Sequence, residues 1–344
     1  MNIFGNHQRV AGLIIGIIVY ALIPFFVHSP YYLDLLVIML VNAVLGMAFI
    51  MTLRTGLINL AIAPFWGIGA YTSTVMAINL HQSFWVCLPA SALITALCAL
   101  GVGYVLMKSG GTGFGFIMLS AVIGMLFVVS VGNIRFLGAY NGIMNIPAPD
   151  PIKIPFFPPI EFVSRVQFLY LALILFVIII MISNAFYSAS TGRAWTATGL
   201  NPRLAESLGV NIFRYKLLAF VVSSGIVGLI GSFYAHYGGF VIPTTFGMWI
   251  NIYIQIYAIL GGLGYATLGP LVGSAIMTFF PEMIRMAKEV APVFTGAILI
   301  LLILFLPKGI LSLVDRQSVI GERVIKISRA IQSSLSGGRK VEKV

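Results

Sequence analysis

The side chains able to do chemistry in this chain are few, and most sit at the margins of long apolar runs. His7, His28, His81 and His236 fall in loops or at run ends, without the paired spacing that holds a metal ion. GxSxG is absent, and no Ser, His and Asp can be set into a triad, so no catalytic residue is assigned. The glycine-rich SGGTGFGF at 109–116 lacks the lysine that a Walker A loop uses to reach a phosphate. ATP chemistry, if the chain depends on it, must belong to another polypeptide. Asp34 lies at the edge of its run, Glu282 and Glu289 lie beside basic residues, and no carboxylate occupies the middle of a run. Proton- and sodium-coupled carriers are built around such buried ionisable groups, so this pattern argues against self-powered transport. The polar groups left inside apolar runs are neutral: Asn42, Asn59, Tyr71, Asn251, Tyr253 and Gln255. In an apolar medium each must find a hydrogen-bond partner. A solute path lined by these groups and bonds to a neighbouring helix both meet that need.

The elements that position these groups follow from composition. The 344 residues are 60% hydrophobic and 8% charged, with mean hydropathy +1.04, whereas a soluble domain carries about a quarter charged residues. Lipid is the solvent that suits this composition, and there every backbone amide must be satisfied internally, by helices or a closed barrel. Unbroken runs such as FLYLALILFVIIIMI at 168–182 select helices, since barrel strands alternate. At about 20 residues per crossing, spans are expected near 10–27, 33–53, 57–79, 84–107, 114–132, 166–187, 215–237, 246–263, 266–287 and 291–306. The fold class is thus an all-α polytopic membrane protein of about ten transmembrane helices, within a range of eight to ten. Pro64, Pro270, Pro281 and many glycines interrupt the third, eighth and ninth, which are expected to be kinked or re-entrant. The apolar stretch after Arg9 has no small-residue cleavage site and is read as a retained span. Cys87 and Cys98 share one run, about 16 Å apart along a helix, too far for a disulfide.

The net charge of +11 does not mark a nucleic-acid surface, because the basic residues are scattered between apolar runs. They fit the positive-inside rule: fifteen of the twenty Lys and Arg fall on the side of the termini and the 188–216 segment. Both termini are therefore expected in the cytoplasm, with the proline-rich 133–165 connection outside. That connection would cap the bundle or meet a soluble partner. The basic tail, 313–344, suits a surface helix and disordered end attracted to anionic lipid. Punctuation recurs weakly in the two halves: TGLINLAIAPFWGIGAYTS at 55–73, then GGFVIPTTFGMWI at 238–250 and GGLGYATLGPLVG at 261–273. Interrupted apolar segments at matching positions point to a midplane pathway, although their small residues also permit ordinary close packing. In the polar 188–216 segment, Asn201 followed by Pro202 predicts a helix start and Gly209 its stop.

GRA at 192–194, Asn201 with AESLGVN at 205–211, YKLLAFVVS at 215–223, GLIGSFYAH at 228–236, GGLGYATLGPLVGS at 261–274 and FLPKGIL at 305–311 keep the order and spacing of a known family. WGIGAYTS at 66–73 and NGIMNIP at 141–147 extend the match through the first half. The chain resembles the permease subunits of branched-chain amino acid ABC transporters, the LIV-I type of the hydrophobic amino acid uptake group. The resemblance implies a permease domain over 1–312 with the all-helical fold shared by ribose and cobalamin importers. It also implies a second related permease subunit, two ABC ATPase subunits carrying ATP and Mg, a soluble substrate-binding protein and a bacterial inner membrane. Within it, Arg193, Asn201, Arg203, Ala205, Glu206 and Gly209 correspond to the loop that couples the permease to its ATPase. No cofactor or metal is implied in this chain. Where such permeases read GQLSLGHAAF, this chain reads GLINLAIAPF, with Leu57, Asn59, Ala61, Ile62 and Pro64 replacing polar or small residues. The expected solute is thus a branched-chain or other small amino-acid-like molecule, with urea, a short amide or a small organic acid as alternatives. A self-sufficient carrier or channel is the alternative of another class.

Overall fold

A computed structural model describes residues 16–18, 20–27, 29–108, 113–151, 162–284, 296, 300 and 309–311. Among the described residues from Pro30 to Ile284 there are ten helices: α1 (Pro30–Leu53), α2 (Ile62–Asn79), α3 (Phe84–Lys108), α4 (Phe114–Asn133), α5 (Arg165–Ser188), α6 (Ser190–Leu200), α7 (Pro202–Ser207), α8 (Ile212–Gly238), α9 (Met248–Gly261) and α10 (Leu268–Ile284). Local chemistry sets their ends. Pro30 opens α1 where no N–H is required. Ser164 and Gln167 form a capping box at α5, the Gln167 Oε1 accepting from the Ser164 N–H at 2.8 Å. Asn211 caps α8 by accepting from the Arg214 N–H at 3.0 Å. Among the described residues five helices, α1, α3, α4, α5 and α8, are long and apolar enough to cross a bilayer, and a shorter apolar helix covers Gly16–Phe26.

The core forms where α8 lies against α2 and α3. Gly228 lets three backbones meet: a Cβ there would stand 2.3 Å from Thr95 Oγ1, and one on Gly69 would stand 2.2 Å from the Gly228 carbonyl oxygen. Such small-residue contacts are how helices associate when lipid supplies no hydrophobic drive between them. α1 is enclosed on nearly every side, whereas α3 and α4 leave Leu97, Val105, Met125 and Leu126 exposed. Outward-facing apolar side chains of this kind suit a hydrocarbon solvent.

At one end of the bundle a two-stranded antiparallel ribbon, β1 (Ile143–Met144) with β2 (Phe240–Val241), ties the α4–α5 connection to the end of α8. At the opposite end α6 and α7 lie between α5 and α8. Three departures from the expected spans matter for function. The third begins late: Gly56–Ala61 is non-helical, with Leu57, Asn59, Leu60 and Ala61 buried, and Pro64 falls in the first turn of α2 instead of kinking it. The eighth begins at Met248, after a 3-10 turn over Pro243–Phe246, and its 14 residues reach only about 21 Å. The polar 188–216 segment holds two helices rather than the one expected, the first of them, α6, burying Gly192, Ala194, Trp195 and Thr198. Most of the expected span at 291–306, residues 152–161 of the long connection and the tail at 313–344 lie outside the described residues.

Candidate functional site

The break before α2 is built by side chains that replace missing helical bonds. Asn59 Oδ1 accepts from the Ala61 N–H at 2.8 Å, Asn251 Oδ1 on α9 accepts from the Ala63 N–H at 2.8 Å, and Ser120 Oγ on α4 accepts from the Leu60 N–H at 3.1 Å. The interrupted segment of the first half is thus held by the first turn of α9, which follows the interrupted segment of the second. Each backbone N–H can pair only with an acceptor, so the orientation of both amides is fixed and their Nδ2 groups point elsewhere. Those Nδ2 groups make no hydrogen bond, although Asn59 is 1% and Asn251 2% exposed.

Outward along α2 the lining turns aromatic. The Trp66 ring lies 4.6 Å from Tyr234 and 4.9 Å from Phe246, while Tyr71 lies 6.2 Å from Phe246 and 6.3 Å from Phe127. Gly67 makes room for this cluster, since a Cβ there would stand 2.5 Å from Phe127. The Trp66 Nε1 and Tyr71 hydroxyl are also buried without a hydrogen-bond partner. Of the six polar residues read from the sequence, Asn59, Tyr71 and Asn251 therefore border one buried zone. Asn42 is half-buried on α1, Gln255 donates to the Asn251 carbonyl of its own helix at 3.3 Å, and Tyr253 is 44% exposed. Ser120, Trp66 and Phe246 were not legible as partners, because no spacing rule links residues that meet only across helices.

The ribbon end is closed by a second polar group. His236 Nδ1 lies 2.6 Å from the Pro147 carbonyl, which can only accept, so Nδ1 carries the proton. In the neutral ring Nε2 then accepts from the Ser73 hydroxyl at 2.9 Å, and Ser73 lies 2.7 Å from Ser232 Oγ. Asp150 accepts from the Phe84 N–H at 3.1 Å, and Asp34 pairs with Arg165 at 3.2 Å while accepting from the Tyr237 hydroxyl.

The opposite end carries the polar excursion. Trp195 anchors α6: it is fully buried, donates from Nε1 to the Tyr215 carbonyl at 2.9 Å and stacks on Phe186. Asn201 caps α7 by accepting from the Leu204 N–H at 3.1 Å, Ala205 is buried beneath it, and Gly209 ends the turn at φ +84°. Arg193, Asn201, Arg203, Glu206 and Gly209 are exposed. So are three leucines at four-residue spacing, Leu200 at 82%, Leu204 at 58% and Leu208 at 75%. An open groove lined by Met107, Glu206, Gly209, Phe213 and Lys216 runs beside them. This end also touches the break directly. A Cβ on Gly199 would stand 2.2 Å from the Arg54 carbonyl oxygen, and the Arg54 guanidinium lies 4.2 Å over the Tyr187 ring. Among the described residues no group of His, Cys, Asp and Glu is placed to hold a metal ion.

Comparison with known proteins gives the same direction. The family described as branched-chain amino acid transport system / permease component matches residues 31–307. The chain is 26% identical over 303 residues to the high-affinity branched-chain amino acid transport system permease protein LivM of Salmonella typhimurium (strain LT2), covering 83% of this chain and 71% of the relative. The LivM of Escherichia coli (strain K12) is 26% identical over 335 residues, covering 91% and 77%. The autoinducer 2 import system permease protein LsrC of Photorhabdus luminescens is 24% identical over 293 residues, covering 81% and 82%. No solved structure matches.

Proposed function

The chain belongs to the branched-chain amino acid transport system permease family, and from that premise we propose that it carries branched-chain or other small amino-acid-like solutes across a bacterial inner membrane as one subunit of an ATP-driven importer. ATP and Mg act on two separate ATPase subunits. A second, related permease completes the membrane pair, and a soluble binding protein delivers solute at the ribbon end. The side bearing α6 and α7 faces the cytoplasm together with both termini, in keeping with the excess of Lys and Arg there.

The observation that carries this reading is the trio of exposed leucines at the end of α6, within α7 and just after it. Leu200, Leu204 and Leu208 project from a polar, charged segment, where lipid contact does not explain them and a partner's apolar cleft does. Gly199, beside the first of them, rests on the Arg54 carbonyl that leads into the break before α2. Movement of the docked ATPases is thereby passed to the segment holding Asn59. The buried zone then opens alternately to each side.

Co-purification tests the docking. A tagged chain co-expressed with its ATPase subunits should retain them, and Leu204→Asp or Gly209→Asp should reduce recovery about tenfold, equivalent to ~1.4 kcal/mol. Undiminished recovery with both variants sinks the docking assignment. Solute flux into liposomes containing only this chain would instead favour a self-sufficient carrier.

A further inference from the structure

The two unpaired amides at the break have a chemistry of their own. The first turn of an 18-residue helix, α2, lies buried in the bundle, and the aligned peptide dipoles make that end positive. Its N–H groups at Ala61 and Ala63 are taken by Asn59 and Asn251. The cost is that each asparagine presents a buried Nδ2 with no acceptor. A buried donor left unmatched is strongly unfavourable, so an arrangement with two of them at the positive end of a helix is suited to an incoming acceptor with negative charge. Of the described carboxylates, Asp34 is engaged by Arg165 and Tyr237 and Asp150 by the Phe84 N–H, both at the ribbon end, while Glu206 is exposed on α7 at the opposite end.

Methyl-sized room is kept beside one of the amides: a Cβ added to Gly124 on α4 would lie 3.7 Å from Asn251 Nδ2, 3.8 Å from the Leu60 carbonyl oxygen and 3.9 Å from Pro64. That is ordinary contact distance, so a glycine leaves room there that alanine would fill. The aromatic cluster of Trp66 and Phe246 begins about one helical turn away, a suitable surface for an apolar side chain.

Resting on the importer reading above, we infer that Asn59 and Asn251 form a subsite for the carboxylate of the transported solute, which accepts from both Nδ2 groups at the positive end of α2. The carboxylate is selected over a neutral carboxamide because hydrogen bonds to a charged acceptor are roughly twice as strong as neutral ones. Urea and short amides are correspondingly poor solutes.

The test uses the permease with its ATPases in nanodiscs, without binding protein, so that the selectivity measured belongs to the membrane subunits. Binding is compared for matched probes: L-leucine with L-leucinamide, and 4-methylpentanoate with 4-methylpentanamide. Each carboxylate should bind at least about tenfold more tightly than its carboxamide. Asn251→Asp and Asn59→Asp keep the oxygen that accepts from the backbone and replace only the Nδ2 donor, so the local fold is retained. They should abolish or invert that preference. Gly124→Ala, which meets no clash, should weaken both members of a pair. Equal binding of carboxylate and carboxamide by the wild type overturns the inference, as does an unchanged preference in both Asp variants. In either case, intact ATPase association and ATP-dependent uptake leave the importer reading standing. Loss of ATPase association in the wild type overturns that reading first.

Discussion

Buried polar side chains in this bundle fall into two kinds, and their substitutions should separate accordingly. Trp195 donates to the Tyr215 carbonyl and stacks on Phe186, so it acts as a rivet between α6 and α8. Trp195→Phe keeps a ring but loses the indole bond to a carbonyl that α8 already engages in its own helical ladder, and should lower stability by about 1 kcal/mol, read as a fall in melting temperature of the purified chain. Tyr71 is the opposite case, because its hydroxyl has no partner to lose. Tyr71→Phe should leave the melting temperature within error, a change of about 0.5 kcal/mol or less; if the hydroxyl meets the solute, uptake alone falls. A large loss of stability in Tyr71→Phe would show that the hydroxyl is part of the packing. The sequence placed Tyr71 in a span and Trp195 in the polar 188–216 segment, but it could not say which of them was satisfied, since that depends on groups 20 or more residues away.

At the scale of elements, glycines decide where helices touch. Gly199 and Gly101 are both helical, yet a Cβ on Gly199 meets the Arg54 carbonyl at 2.2 Å, whereas one on Gly101 meets nothing within 4 Å. Gly199→Val should therefore lift α6 from the α1–α2 turn at a cost of about 1–3 kcal/mol. Gly101→Ala should stabilise slightly, by up to about 1 kcal/mol, through helix propensity alone. Melting curves of the two variants, with ATP-dependent uptake for Gly199→Val, check the pair; equal melting temperatures would contradict the contact. The α7 cap was legible in advance, because Asn, Pro and Gly at 201, 202 and 209 act on their own backbone. α6 was not, because its buried face of Gly192, Ala194, Trp195 and Thr198 is mostly small or polar and leaves no apolar period in the sequence.

For the molecule as a whole, the ribbon end is latched through His236, which joins α2, α8 and the segment at Pro147. His236→Ala should release that latch and speed hydrogen exchange at Ile143, Met144 and Val241, with exchange in the middle of α8 unchanged. Unaltered exchange in the ribbon would mean that strand pairing alone holds the segment. Sidedness is checked by impermeant maleimide in a background with Cys87 and Cys98 replaced. Ser207→Cys should label from the cytoplasmic side and Asn145→Cys from the opposite side. Labelling of both from one side would invert or destroy the proposed topology.

Composition, run length and the scatter of basic residues were enough to establish a helical membrane protein and the positions of its long helices, because lipid exposure and backbone satisfaction act on each segment separately. Local cues likewise marked the start of α7 and the interruptions near Pro64 and in the second half. Tertiary structure alone decided that those interruptions meet, with Asn251 capping a turn 188 residues away. It also left two amide groups without acceptors and set three leucines in the open. Such pairings depend on how helices pack against one another, and packing between helices leaves no period in the chain.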